Sequence, residues 1–304
     1  MNDKEKYRQL CETEGAGIPL FQQWWWMESV CCGKRWDVLL AERDGRICGA
    51  LPFLCGSKFG MRYVLQPQLT MFTGPWLAAD ADSGVLAELM KRMAARRDAV
   101  ALLRCAPSII ESDVFERAGW QVGQRYTWRF DALRPLPQMM ADASQLRRRD
   151  FARNSELLTV DYCVSPAELA SLHDGQYRRQ GKRDVVDAAF MARVAATAVE
   201  HGNGVVAGVS DAAGTLQAAV FVAYDSNCAY LLLLARGAEA PRNAMAYLVW
   251  RIVEWLTSRT RMFDFEGGAE PGVGEYYRSF GACQVPYLQL TRCRMPLIGK
   301  MLGL

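Results

Sequence analysis

Two carboxylates and two glycines end an apolar segment near the C-terminus, in the run FDFEGG at positions 263–268. Side chains two residues apart on a strand point to the same face, so we expect Asp264 and Glu266 to share a face. A carboxylate can orient an amine or accept its proton when burial or a neighbour raises its pKa towards neutrality. Gly267 and Gly268 would let the backbone turn sharply and approach a ligand. The alternative for each carboxylate is structural, either capping a turn or pairing with an arginine.

Two tyrosines and an arginine follow on a predicted short helix that ends near Gly281. Arg278 can hold a carbonyl oxygen or a phosphate group as negative charge develops on it. The alternative is an arginine that only covers the surface. The candidate catalytic residues are Asp264, Glu266, Tyr277 and Arg278.

A loop of mainly small residues, RGAEAPRNA at positions 236–244, separates the apolar segment 229–235 from a predicted helix over 243–259. A helix N-terminus presents unpaired backbone N–H groups and the positive end of the helix dipole, which favour a phosphate or pyrophosphate. Two arginines in the loop would add positive charge. The loop matches neither G-x-x-x-x-G-K-S/T nor G-x-G-x-x-G, and such loops also serve as plain connections. The predicted anion-binding residues are Arg236, Gly237, Ala238, Arg242, Asn243 and Ala244.

Four arginines fall within positions 145–153 of a further predicted helix. A basic face exposed to water explains such a run, and contact with a substrate phosphate or another polyanion is the alternative. The run does not resemble a nucleic-acid-binding groove. The predicted substrate-binding residues are Arg147, Arg148 and Tyr276.

The elements that carry these residues occur twice along the chain. A hairpin with a turn ending at Gly45 recurs with a turn ending at Gly214, 169 residues later. Each hairpin is followed by an apolar strand, a loop, an amphipathic helix, a strand, a short helix and a final strand. The long helices are predicted over 83–97 and 243–259, and the short ones end near Gly119 and Gly281, 162 residues apart. Similar offsets over a whole series of elements indicate a duplicated unit.

The fold class predicted from this order is α/β (α+β), with two tandem modules that are each a mixed, mostly antiparallel sheet flanked by helices. Residues 131–142 carry Pro135 and Pro137 and are the natural boundary. We therefore expect an N-terminal domain over 1–140 and a C-terminal domain over 141–304.

Composition excludes several classes of protein. The chain has 304 residues, 51% of them hydrophobic, and a net charge of +3 that neither favours nor disfavours a polyanionic partner. Its ten cysteines form no Cys-x-x-Cys pair and it has only two histidines, so no metal site is predicted. The polar N-terminus and the short apolar runs predict neither a signal peptide nor a membrane span, and we expect a cytoplasmic protein with reduced thiols. The apolar tail at 295–304 is expected to pack or fray, with contact to a membrane surface as the alternative.

The order of elements resembles the GNAT fold of the acyl-CoA N-acyltransferases. In its duplicated form, with the basic helix before the second unit and the runs at 263–268 and 277–281, it resembles the FemAB-like branch. That branch includes the aminoacyl transferases that build peptidoglycan cross-bridges. The resemblance implies that the loop at 236–244 holds the pyrophosphate of acyl-CoA and that the run at 263–268 faces the transfer site. A lysine is common at the position of Arg278, and arginine keeps the charge while excluding a neutral amine.

The resemblance implies an enzyme, an N-acyltransferase that moves an acyl group from a thioester donor, acyl-CoA, to an amine of a cell-envelope precursor or small metabolite. The chemistry is expected in the cleft between the halves, without a metal. One alternative is an aminoacyl-tRNA-dependent peptidoglycan aminoacyltransferase, and only this alternative expects a nucleic acid as partner. The tRNA-dependent enzymes often carry a long helical arm, for which this chain has no room. The other alternative is a non-catalytic, ligand-binding protein of the same fold.

Overall fold

The computed structural model describes residues 1–181, 186–270 and 272–294. The apolar tail at 295–304 lies outside the described residues. The described residues form two compact units, one of Met1–Arg125 with the described residues from Pro286 to Arg294, the other of Tyr126–Val285. These limits come from contacts in space, and the predicted boundary at residue 140 stays a prediction about the two copies along the sequence.

The described residues form twelve strands and ten α-helices, numbered in chain order. The strands are β1 (Arg35–Arg43), β2 (Arg46–Lys58), β3 (Met61–Leu65), β4 (Trp76–Leu77), β5 (Val100–Arg104), β6 (Gln121–Phe130), β7 (Thr159–Asp161), β8 (Gly204–Ser210), β9 (Leu216–Tyr224), β10 (Cys228–Arg236), β11 (Met262–Asp264) and β12 (Cys283–Cys293). The helices are α1 (Asp3–Thr13), α2 (Trp24–Val30), α3 (Ser83–Ala95), α4 (Ser112–Arg117), α5 (Leu136–Asp142), α6 (Gln145–Ser155), α7 (Pro166–Arg179), α8 (Ala188–Glu200), α9 (Ala244–Leu256) and α10 (Val273–Arg278). Two short 3-10 helices, Gly15–Gly17 and Leu20–Gln22, follow α1.

The sheet of the first unit has the order β1-β2-β3-β5-β12, with β4 beside β2. The β1–β2 hairpin turns through Asp44 and Gly45, both with positive φ (51° and 76°), as a two-residue hairpin turn requires. Strands β3 and β5 are parallel, and β12 runs antiparallel to β5. The core of this unit lies between the sheet and α3, whose Val85 and Leu89 are fully buried.

The sheet of the second unit has the order β6-β11-β10-β9-β8-β7. Strands β10 and β11 are parallel, whereas β9 and β10 are antiparallel, as are β6 and β11. Helix α9 is buried over most of its length and is the centre of this core, because its side chains are apolar nearly all round. The sequence predicts that this helix begins at Asn243. Asn243 adopts a left-handed conformation instead, and α9 starts one residue later.

Each unit therefore places a parallel strand pair beside a long helix in a sheet that is otherwise antiparallel. This agrees with the predicted fold class and with the predicted order of elements. The last strand of each sequence copy lies in the sheet built mainly from the other copy, since β12 pairs with β5 and β6 pairs with β11. Within the described residues, no helix combines the length and apolar character needed to cross a membrane.

Candidate functional site

Strands β10 and β11 part in the second unit. Their parallel pairing ends at Tyr230 and Asp264, whereas β10 continues to Arg236. The register of β10 against β9 shifts between Leu231 and Leu233, which marks a bulge in the segment that has left β11. In open sheets a gap at the carboxyl ends of neighbouring parallel strands is where ligands bind. The fold thus provides a gap at the place where the sequence predicted chemistry.

An open cavity of about 580 Å³ lies at the end of β10. Its volume is within the usual range of ligand sites, roughly 300–1,000 Å³. The lining comes from the end of α7, the end of β10, the loop before α9, the first turn of α9, and α10. The lining residues are Gln176, Arg179, Gln180, Leu234, Arg236, Gly237, Ala238, Asn243, Met245 and Tyr276. Four predicted anion-binding residues and one predicted substrate-binding residue are therefore brought together in one cavity.

The loop before α9 is held open by contacts from its own unit. The Arg236 N–H donates to the side-chain oxygen of Gln176 (2.7 Å), and Arg179 donates to the Arg236 carbonyl (2.5 Å). The Gly237 N–H donates to the Gln217 carbonyl (2.8 Å). These bonds fix the end of β10 and leave both arginine side chains at the cavity. Arg242 is exposed and Ala244 is buried, and neither lines the cavity.

The first turn of α9 has an unused backbone donor. Asn243 occupies the N-cap position with φ 61°, and its side chain makes no capping hydrogen bond. The N–H groups of Ala246 and Tyr247 donate to the Asn243 carbonyl. The Met245 N–H has no hydrogen-bond partner among the described residues. A free N–H at the positive end of a helix, beside two arginines, fits a phosphate group.

Asp264 is buried at the end of β11, with 1% of its surface exposed. Its Oδ1 accepts hydrogen bonds from the Thr127 hydroxyl (2.5 Å) and the Glu266 N–H (2.7 Å). Its Oδ2 is buried with no hydrogen-bond partner among the described residues. Burial raises the pKa of Asp264 to about 6, although the bonds from Thr127 and the Glu266 N–H oppose the shift. A carboxylate with this pKa changes charge near neutral pH.

The expectation that Asp264 and Glu266 share a strand face is wrong. Strand β11 ends at Asp264, and Glu266 adopts a left-handed conformation with φ 50°. The turn follows from the bond between the Asp264 carboxylate and the Glu266 N–H, which folds the backbone back on the aspartate. Glu266 is half-buried and leaves the sheet.

The two glycines after Glu266 both have positive φ, 108° at Gly267 and 97° at Gly268. A Cβ on Gly268 would lie 2.5 Å from the Trp128 ring, whereas one on Gly267 would meet nothing within 4 Å. Gly268 therefore lets the backbone pass over the indole, as the sequence predicted for a close approach. The Trp128 indole N–H is buried without a hydrogen-bond partner among the described residues.

Helix α10 carries the remaining candidates for catalysis. Tyr277 is buried against Phe265, with ring centres 4.6 Å apart, and burial raises its pKa to about 12. Arg278 is exposed, pairs with Glu275 (2.8 Å) and lies 5.7 Å from the Trp128 ring centre. Tyr276 lines the cavity, whereas Arg278 does not, and burial raises the pKa of Tyr276 to about 12. The roles of these residues in catalysis stay predictions.

The two predicted substrate-binding arginines of α6 have different surroundings. Arg147 is 6% exposed and lies over Tyr276, with its guanidinium carbon 4.9 Å from the ring centre. Arg148 is exposed and donates to carbonyl oxygens at the end of α5, including that of Ala143 (2.5 Å). Arg147 thus contacts a cavity residue, and Arg148 closes a helix end.

Sequence reasoning missed residues that reach the site from far along the chain. Thr127 lies 137 residues from Asp264, and Gln176 lies 60 residues from Arg236. No local motif marks either residue, because strand pairing and helix packing bring them in. Among the described residues, no group of three or more His, Cys, Asp or Glu is placed to hold a metal ion.

The equivalent gap in the first unit is filled by its own chain. Parallel pairing of β3 and β5 ends at Val64 and Ala101, and the N–H groups of Thr73 and Gly74 then donate to the Arg104 carbonyl. A Cβ on Gly74 would lie 2.8 Å from the Cys105 Cα. The gap is closed by residues 70–74, whose bulky members Met71 and Phe72 are buried.

The helix that follows this closed gap starts with a carboxylate. The Asp82 side chain accepts from the Gly84 N–H (2.6 Å) at the N-terminus of α3. A carboxylate at this position occupies the backbone donor and repels an anion. The first unit thus lacks the two features of the second unit that fit a phosphate, which are the open gap and the N–H at the start of the helix that is unpaired among the described residues.

Part of the sequence matches a known domain. Residues 139–278 match the acetyltransferase (GNAT) domain, from α5 to the end of α10. This range includes every residue that lines the cavity. No curated protein matches the sequence at a significant level.

Solved structures share the fold over nearly the whole chain. The structure of FemX superposes with a TM-score of 0.73 at 10% identity, covering 95% of this chain and 96% of that chain. The C-terminal domain of a putative lysylphosphatidylglycerol synthetase from Agrobacterium fabrum gives 0.64 at 13% identity, with coverage of 95% and 92%. A tandem GNAT protein from the clavulanic acid biosynthesis pathway gives 0.55 at 13% identity, with coverage of 96% and 95%. These likenesses concern the fold, and they confirm the predicted pair of tandem modules.

Proposed function

We propose that this protein, an enzyme with a GNAT/FemAB-like acyltransferase fold, transfers an acyl group from acyl-CoA to an amine of a cell-envelope precursor or small metabolite. The observation that carries the proposal is the cavity at the end of β10, where four residues of the predicted pyrophosphate loop meet the first turn of α9. A unit that binds no ligand would not need to keep this gap open, and the first unit has closed its own.

The polar end of the cavity suits the phosphates of CoA. Arg179 and Arg236 supply positive charge, and the Met245 N–H supplies a backbone donor at the helix N-terminus. Leu234 and Tyr276 give the cavity an apolar side, which suits the pantetheine arm and the acyl group. An amphipathic donor matches this division better than a free inorganic anion does.

The reaction we propose needs no covalent enzyme intermediate, because the thioester is already activated. The amine attacks the carbonyl carbon, the C–N bond forms, the C–S bond breaks, and the CoA thiolate takes the proton that the amine loses. Glu266 is the carboxylate we propose to orient the amine or accept its proton, since it is half-buried whereas Asp264 is almost completely enclosed. Asp264 would then hold the Glu266 turn in place. Arg278 would stabilise the oxyanion.

Calorimetric titration with a panel of acyl-CoAs, followed by assay of CoA release with amine acceptors, tests the proposal. We expect binding that Arg236→Ala weakens about tenfold, the effect of losing one charged contact. Arg153→Ala, an exposed arginine away from the cavity, is the matched control. Absence of binding by every acyl-CoA would overturn the donor assignment.

An aminoacyl-tRNA donor is the second candidate. It is favoured by the exposed arginines of α6, Arg149 and Arg153, and by the likeness to a putative lysylphosphatidylglycerol synthetase, whose name states the synthesis of a lipid that carries a lysyl group. Binding to a polyanion through several arginines falls steeply with salt concentration. Product formed only with charged tRNA, with an affinity that falls steeply between low and physiological salt, would select this candidate.

We also propose that the protein works in the cytoplasm. All ten cysteines are free, and four of them are exposed or half-exposed. Free accessible thiols are usual in a reducing compartment. Fractionation of the native cell tests this location.

A further inference from the structure

Helix α6 turns a polar face inwards. Arg147, Asp150 and Asn154 lie on one side of the helix and are 6%, 8% and 0% exposed. A helix of a globular protein normally buries apolar residues on this side. Burying charged groups costs free energy unless they are paired and hydrogen-bonded. The burial of these three polar side chains is therefore expected to have a role other than apolar packing.

The buried face of α6 holds the loop before α9. Asp150 Oδ1 accepts from the side-chain amide of Asn243 (2.8 Å). Asn154 donates to the Arg242 carbonyl (3.3 Å). Asp150 Oδ2 lies 3.2 Å from Arg147 Nη1, and Arg147 in turn stacks over Tyr276. Two adjacent loop residues and one cavity residue are thus tied to a single helix.

The bond to Asp150 holds Asn243 at the start of α9. An asparagine at the N-cap normally turns its side-chain oxygen towards the backbone N–H groups of the second or third helical residue. Asn243 makes no capping bond because its backbone is left-handed, with φ 61°, and its side-chain amide is held by Asp150 instead. The Met245 N–H, at the second helical position, is left without a partner among the described residues and lies at the cavity.

The network does not serve stability alone. Arg147 Nε and Asn154 Oδ1 are buried without a hydrogen-bond partner among the described residues, where Asp150 Oδ2 has the ion pair with Arg147 but no hydrogen bond. Each such group costs about 1–3 kcal/mol relative to a satisfied one. Buried polar groups that lack hydrogen bonds are expected where the position of the loop is needed for function.

We infer that Asp150, backed by Arg147, is a positioning residue that holds Asn243, and with it the loop before α9, in the conformation that leaves the helix N-terminus free for the phosphate groups of the donor. The inference rests on the proposed function for the identity of the donor. The ligand expected at the N-terminus of α9 is a pyrophosphate or a phosphate ester. Asp150 makes and breaks no covalent bond.

The test is calorimetric binding of CoA and, separately, of inorganic pyrophosphate to the full-length protein and its variants. Asp150→Ala releases Asn243, and we expect affinity for either ligand to fall about tenfold, as for the loss of one preorganised contact. Asp150→Asn keeps an acceptor oxygen for the Asn243 amide, so we expect it to retain most of the affinity. Glu156→Ala, which removes an exposed carboxylate at the end of the same helix, is the control and is expected to bind like the wild type.

Asn243→Gly keeps the inference testable if Asp150→Ala fails to fold. Glycine adopts the left-handed conformation freely and removes only the amide that Asp150 holds. If the wild type binds either ligand and both Asp150→Ala and Asn243→Gly bind equally well, the inference is overturned. If CoA does not bind but pyrophosphate does, with losses in both variants, the donor proposal fails and the inference stands. If neither ligand binds, both are overturned.

Discussion

Among single residues, Asp264 has the clearest dependence on pH. Burial raises its pKa from 3.8 to about 6 in the folded protein. A carboxyl whose folded pKa is raised stabilises the fold at low pH, and this contribution is lost as pH rises from about 4 through about 6. A shift of this size corresponds to about 3 kcal/mol.

We therefore expect Asp264→Asn to remove this loss. Relative to the wild type, the free energy of unfolding of the variant should rise by about 3 kcal/mol between pH 4 and pH 7. Urea denaturation at several pH values measures the difference, and Glu116→Gln, an exposed residue of α4, is the control. A wild-type-minus-variant difference that stays constant with pH would contradict the burial of a titrating carboxyl.

The two glycines after Glu266 give a matched pair of substitutions. Gly267→Ala and Gly268→Ala both introduce a Cβ at positive φ, but only the second places it against Trp128, at 2.5 Å. We expect Gly268→Ala to destabilise the protein by about 1–3 kcal/mol more than Gly267→Ala, because the indole must move. Urea denaturation of both variants, with tryptophan fluorescence as the probe, measures this. Equal losses would mean that strain in the backbone outweighs contact with the ring.

The positions of the candidate residues show which parts of the site can be predicted from local sequence. Arg236, Asn243 and Tyr276 were identified because a loop before a helix and a strand end are visible in local sequence, and all three line the cavity. The prediction that Asp264 and Glu266 share a face is wrong because it assumes that the strand continues to Glu266. The strand ends at Asp264, whose own side chain turns the backbone. Thr127 could not be found, since its contact with Asp264 depends on the pairing of β6 with β11.

At the scale of the elements, the end of α5 is closed by a neighbouring helix. Arg148 of α6 donates to the carbonyl oxygens of Ala141 (3.3 Å) and Ala143 (2.5 Å). Positive side chains at a helix C-terminus satisfy unpaired carbonyls and complement the helix dipole. We expect Arg148→Ala to lower the free energy of unfolding by about 1 kcal/mol.

Arg149→Ala removes the same side chain one position later, where it is exposed and makes no hydrogen bond to α5 within the described part of the chain, and should change stability by at most a few tenths of a kcal/mol. Thermal unfolding of both variants tests the prediction. An equal loss for the two would show that net charge, rather than the end of α5, sets the effect.

Element positions were predicted well where the signal is local. The predicted hairpin turn that ends at Gly45 is present in the structure. The long helices follow the apolar period, and α3 and α9 end two to three residues before the predicted limits. Strand partners were not predictable in this way, because the hydrophobic pattern of β12 is satisfied by any neighbour that buries its apolar face.

For the whole molecule, duplication of the fold does not mean duplication of the site. Residues 70–74 close the gap of the first unit, and Asp82 places a carboxylate where the second unit has Asn243. We therefore expect one donor to bind per chain. Calorimetric titration of the wild type with CoA should give a stoichiometry of one, and Arg236→Ala should weaken the whole signal rather than half of it. A second, independent binding step would contradict the closure of the first gap.

The position of β12 also affects how the chain folds while it is being synthesised. Strand β5 is complete by residue 104, but its antiparallel neighbour ends at Cys293, 189 residues later. All of these residues must therefore leave the ribosome before the first unit can close its sheet. In the meantime β5 presents an open edge with unpaired backbone groups, which is the kind of surface that pairs wrongly with other chains. Yield of the native protein should accordingly depend on translation speed and on chaperones that bind exposed strands.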